Sequence, residues 1–210
     1  MYLETGDEVK SQGWTGLILD TNGNGKRDAF VGPTAPVDPK KDTQLGDALY
    51  MAAPAPDGSV WGTVLGFPGA VVRVVPGDNP TETALAEKYE VPWGDSKAPI
   101  NGYSPRGMDV DRNGVAWGAL GSGHLAGFDR RKCTAPLNGP MATGTHCPEG
   151  WTFYKLPGPQ LQGVSADEGS AEASYYAWVD RDNTFGLGKD VPMAMGNLNG
   201  SVLALVNGKF

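Results

Sequence analysis

Histidine is nearly missing from this chain, with only His124 and His146 among 210 residues. A catalytic triad or a site built from several imidazoles therefore has little material. Basic clustering is just as scarce: the longest run is Arg130-Arg131-Lys132, and the formal net charge is −7. Nucleic-acid binders rely on a basic face, so neither DNA nor RNA is an expected partner. No apolar stretch approaches the roughly 18 residues of a membrane helix, so no span is expected. The opening, Met1-Tyr2-Leu3-Glu4-Thr5, lacks the charged and apolar regions of a secretory leader. Also missing are a Gly-x-Ser-x-Gly elbow, a His-Glu-x-x-His zinc helix, a phosphate loop and a dinucleotide fingerprint.

Turn formers, by contrast, are everywhere. The 31 glycines and 17 prolines are spread along the whole chain and not pooled in one linker. Glycine supplies positive φ and proline presets turn geometry, so this distribution suits many short strands joined by tight turns. It disfavours long helices, which lose about 1 kcal/mol per interior glycine and about 3 kcal/mol per proline. The expected class is all-β.

Internal repetition sharpens that expectation. The stretch Ala48 to Gly62 is an apolar run, an Asp57-Gly58 turn signal, and a strand carrying Trp61. Pro105 to Gly118 follows the same layout: Asn113-Gly114 falls 56 positions after Asp57-Gly58, and Trp117 falls 56 after Trp61. Tyr175 to Gly186 is a weaker third copy. Third strands are expected at Ala70–Val75 and His124–Asp129, and fourth strands at Lys88–Pro92 and Thr152–Pro157. Asp-Gly and Asn-Gly between alternating strands are strong hairpin signals, so each unit reads as a four-stranded antiparallel meander. Such units in series build a β-propeller. A β-sandwich is the rival reading, but it does not produce the Asp/Asn-Gly-x-x-Trp register twice. Blades are expected at 47–102, 103–163 and 164–210, the last incomplete, with 1–46 a partial or irregular blade. That makes three to four blades of an incomplete propeller. Ser201 to Phe210 reads as a buried strand entering a hairpin turn, which points to a fragment of a longer protein.

The run from Ser104 to Trp117, closing at Tyr154-Lys155-Leu156-Pro157, resembles the blade repeat of the virginiamycin B lyase-like propellers. The likeness is at repeat level, covers about residues 48–186, and extends to other lactonase-like and NHL-like propellers. It implies the fold more than an activity. In that family a Glu after the Trp strand, with nearby His residues, holds magnesium and does the chemistry. Here Gly62-Thr63-Val64-Leu65 follows Trp61, and Gly118-Ala119-Leu120-Gly121 follows Trp117. Neither copy carries the acidic ligand, and only His124 lies in a comparable place.

The two cysteines, Cys133 and Cys147, flank a polar segment rich in turn formers. A disulfide there would contribute about 3 kcal/mol by loop closure. The spacing fits neither a redox pair nor a zinc ribbon; the alternative is two unrelated thiols. A bond implies an oxidising compartment, so a secreted or periplasmic location is expected, with a leader outside this sequence.

The best chemical motif is Asp20-Thr21-Asn22-Gly23-Asn24-Gly25-Lys26-Arg27-Asp28, the first half of a calcium loop. Side chains of Asp20, Asn22, Asn24 and Asp28, with the Lys26 carbonyl, would supply oxygens to a structural Ca2+. Val31 stands at the twelfth position, where a bidentate Glu is usual, so weak affinity is expected. Apolar flanks suggest that the loop closes a hairpin; the alternative is an Asn/Gly-rich turn that binds nothing.

Other candidates are thinner. Tyr103, Arg106 and His124 are weak ligand-binding candidates near an inner strand, and Trp14, Trp93 and Trp151 are candidate sugar-stacking or packing residues. Asp109 and Asp111 read as turn-stabilising. The expected function is a non-catalytic module that binds a protein or carbohydrate, and a second copy could complete the ring. The alternative is a lyase- or hydrolase-type enzyme with catalytic residues partly outside this segment.

Overall fold

The computed structural model describes residues 2–94, 100–163, 168–198 and 200–210. It is all-β, with helix confined to single turns such as Tyr2–Thr5 and Pro80–Thr83. None of the described helices is long and apolar enough to cross a membrane.

The strands form three sheets, none closed on itself. The first contains a meander of β4 (Met51–Pro54), β5 (Val60–Val64), β6 (Ala70–Val75) and β7 (Leu85–Glu90). The second is a four-stranded meander of β8 (Pro105–Val110), β9 (Ala116–Leu120), β10 (His124–Phe128) and β11 (Trp151–Lys155). The third has β12 (Ala177–Asp180), β13 (Val191–Gly196) and β14 (Ser201–Ala204).

Local chemistry sets the first hairpin of each complete meander. Gly58 and Gly114 adopt φ of +82° and +79°, the left-handed region their turns require. Ala55 N–H donates to the Ser59 carbonyl at 2.8 Å, and Asp111 N–H to that of Val115 at 3.0 Å. Asp57 and Asp111 cap their turns by accepting from backbone N–H groups of Ser59, and of Asn113 and Val115. Trp61 and Trp117 are then each the second residue of the second strand. The third copy departs from this. Trp178 lies in the first strand, opposite Met193, and Pro192 is the second residue of β13.

Side-chain alternation stacks the sheets face to face. Val71 joins Trp61 and Tyr89 against Met108, Leu120 and Phe128 of the second sheet, while Val72 points to the other face with Leu19 and Ala86. Ala119 and Leu125 of the second sheet face Ala177 and Ala194 of the third. Backbone carbonyls tie neighbouring sheets together at β8: Thr63 of β5 donates to the Arg106 carbonyl at 2.6 Å, and Gly107 N–H to that of Tyr175, just ahead of β12, at 2.8 Å. Glycine is needed at 107, since a Cβ there would sit 2.5 Å from the Tyr175 carbonyl oxygen.

Residues 18–44 do not form a sheet of their own. β1 (Ile18–Leu19), β2 (Phe30–Val31) and β3 (Asp42–Gln44) extend the outer edge of the first sheet, in the order β2-β3-β1-β7. β1 and β2 do not pair as a hairpin; β3 lies between them, antiparallel to β1 and parallel to β2. Cys133 and Cys147 are disulfide-bonded, with Cα atoms 5.1 Å apart.

Candidate functional site

Two places gather the chemistry. The first is the Asp20 loop, which leaves β1 and enters β2. Gly23 and Gly25 take φ of +77° and +76°, wrapping the backbone around the nearly buried Asp20 carboxylate. Asp20 accepts from the N–H groups of Gly23, Asn24 and Gly25 at 2.8, 3.1 and 2.8 Å. Asn22 and Asn24 both donate side-chain N–H to Asp28 Oδ2, and these two bonds hold the Asp28 carboxyl below its usual range. Lys26 N–H donates to Asn24 Oδ1 at 2.9 Å.

The five residues expected from the motif are thus brought into one turn, and a further carboxyl group lies against it. Asp42, the first residue of β3, is fully enclosed. Its Oδ2 accepts from Asp28 N–H at 2.7 Å, and its Oδ1 has no hydrogen-bond partner. Burial pushes this carboxyl up, and the charges of Asp20 and Asp28 push the same way. Among the described residues, no three acidic, histidine or cysteine side chains are gathered closely around one point. The loop also reaches the disulfide segment: Asn138 Nδ2 donates to Asp20 Oδ2 at 3.0 Å, and Gly139 N–H to the Asp20 carbonyl at 2.8 Å.

The second place is a groove of about 500 Å³ lined by Tyr50, Leu65, Phe67, Tyr103, Arg106 and Tyr175, among others. Arg106 begins beside the Pro105 end of β8 and lays its guanidinium 4.4 Å from the centre of the Tyr175 ring. Its Nη1 also donates to the carbonyls of Ala173 and Ser174 at 3.3 and 3.4 Å. No described carboxylate forms an ion pair with it. Phe67, Trp93 and Tyr103 form a three-ring cluster with centroids 4.7 to 5.6 Å apart, and Phe67 is 65% exposed. Ser104, also in the lining, holds φ of +57°, an uncommon conformation for a non-glycine residue.

The structure joins Tyr103 and Arg106 in this groove but sets His124 apart. His124 opens β10, fully buried, with Nδ1 3.0 Å from Ser122 Oγ and its ring edge-on to Phe153. Burial lowers its pKa to about 4, so it stays neutral under ordinary conditions. Trp14 stands almost bare in solvent, Trp93 is half exposed, and Trp151 is core. Asp111 caps its turn and also accepts from Trp117 Nε1 at 3.0 Å, whereas Asp109 accepts from Val179 N–H at 2.9 Å and pairs with Arg181.

No protein-family model and no curated protein matches this chain.

Proposed function

We propose that the chain is part of an extracytoplasmic β-propeller, of the kind the virginiamycin B lyase-like repeat resembles, and that it binds carbohydrate in the aromatic groove. The propeller reading is supported by two meanders with the same hairpin, the same Trp position and sheets stacked face to face. The disulfide supports an oxidising compartment, secreted or periplasmic. Closing a ring requires further sheets, from a longer chain or from a second copy.

The observation that carries the binding reading is Arg106 set among Tyr50, Phe67, Tyr103 and Tyr175 in one open groove. Aromatic faces stack on the apolar faces of sugar rings, and a guanidinium with free donors favours a carboxylate. An acidic sugar fits both. Isothermal titration with trigalacturonate and with neutral maltotriose tests this. Trigalacturonate should bind, maltotriose more weakly, and Arg106→Ala should cost roughly tenfold in affinity for the acidic sugar, the scale of one charge-assisted contact. Absence of binding by either sugar would reject the carbohydrate reading. Light scattering on the same sample reports whether copies associate.

A further inference from the structure

Among the described residues, Asp42 is a fully buried carboxyl group with an oxygen that no hydrogen bond reaches. A carboxylate enclosed with one bare oxygen is unfavourable unless a cation, a proton or a hydrogen bond satisfies it. No described lysine or arginine forms an ion pair with Asp42; what stabilises its charge comes from backbone N–H groups, Asp28 at 2.7 Å and Asn22, and Oδ1 is left without a partner. Topology explains how it arrives there. The Asp20 loop runs from β1 to β2, and β3 is inserted between those strands, so the first residue of β3 lies against the loop.

We propose that Asp42 supplies the carboxylate absent from the loop's twelfth position, so that Asp20, Asn22, Asn24, Asp28 and Asp42 together hold a calcium ion. The donors are three carboxylates and two amides, an all-oxygen set suited to a hard cation and lacking the nitrogen or sulfur that zinc prefers. Glycines at 23 and 25 leave the loop adaptable, which suits calcium better than magnesium with its strict octahedron. On binding, the cation replaces the Asn22 and Asn24 amide nitrogens at Asp28 and draws the three carboxylates together. Because Asp20 is also bonded to Asn138 and Gly139, occupancy fastens the outer edge of the first sheet to the disulfide segment. This site is independent of the groove and of the propeller reading.

Melting the whole chain in 5 mM CaCl2 and in EDTA tests the proposal. Calcium should raise the wild-type midpoint by about 5 °C, with a smaller shift in MgCl2. Asp42→Asn should melt in EDTA no lower than wild type, since it removes a buried charge, and should lose most of the calcium shift. A wild-type midpoint that calcium leaves unmoved overturns the site. So does an Asp42→Asn protein that keeps the full shift, or one that is lowered equally in both buffers. Should Asp42→Asn not fold, the exposed Asp28→Asn variant decides by terbium luminescence: its binding midpoint should weaken by about tenfold, and an unchanged midpoint overturns the assignment.

Discussion

The buried core of the seam between the first and second sheets is rich in aromatic rings, whereas that between the second and third is built of alanine and leucine. At the first seam Trp61, 2% exposed, packs with Tyr89 and Phe128. At the second, Trp117 pairs with the Tyr154 ring and packs against the alanine and leucine cluster, and it stays partly exposed. The same backbone position thus has two energetic weights, because burial is set by what the next sheet offers. A repeat in backbone geometry does not imply a repeat in stability.

Truncating the two tryptophans measures this difference directly. Trp61→Ala should cost about 4 kcal/mol in urea unfolding, as a large buried ring leaves a cavity. Trp117→Ala should cost about 2 kcal/mol, part of it from the lost bond to Asp111. Equal costs would mean that the seams are equivalent after all.

Acid should act on the second sheet through a residue the first does not have. His124 opens β10 where Ala70 opens β6. Its folded pKa, about 4, lies below the ordinary histidine value of 6.5, so the unfolded chain binds the proton first as pH falls. The stability it protects is complete above pH 6.5 and is lost as pH drops toward 4, by about 3 kcal/mol at most. Unfolding free energies across that window should flatten in His124→Asn; an unchanged slope would show that other groups carry it.

The smallest effect is the sharpest test of equivalence. A Cβ at Gly58 or Gly114 meets nothing within 4 Å, so only backbone strain opposes alanine at either site. Each substitution should cost about 1 kcal/mol. The two costs should agree within a few tenths, and a clear inequality would break the parallel between the hairpins.

What could be read from the sequence was local. Asp57-Gly58 and Asn113-Gly114 encode their turns in adjacent residues, and the strands at 70–75 and 124–128 follow from alternation around them. The pairing of Cys133 with Cys147 was suggested by the segment they enclose. What escaped was tertiary. β1, β2 and β3 are two or three residues long, too short for periodicity to assign them to the edge of another sheet. Asp42 lies 22 positions from Asp20, outside any motif spacing, and only strand order reveals it. The weaker third copy diverges from the other two: Trp178 lies in the first strand, ten residues separate β12 from β13 where the complete meanders use five, and Pro192 stands where they carry tryptophan. Tyr103 and Arg106 were visible as candidates; Tyr50, Phe67 and Tyr175 joined them only when three sheets met.

The segment closed by Cys133 and Cys147 rises from the second sheet yet bonds to the first, through Asn138 and Gly139 to Asp20 and through Gly144 to the backbone of Glu90. Mechanically it is a strap across a seam. Sheets held only by their faces can shear or fan apart under load, but here relative sliding must also break the hydrogen bonds that a covalently closed loop holds in place. Reducing its disulfide should therefore soften the first seam before it disturbs either sheet.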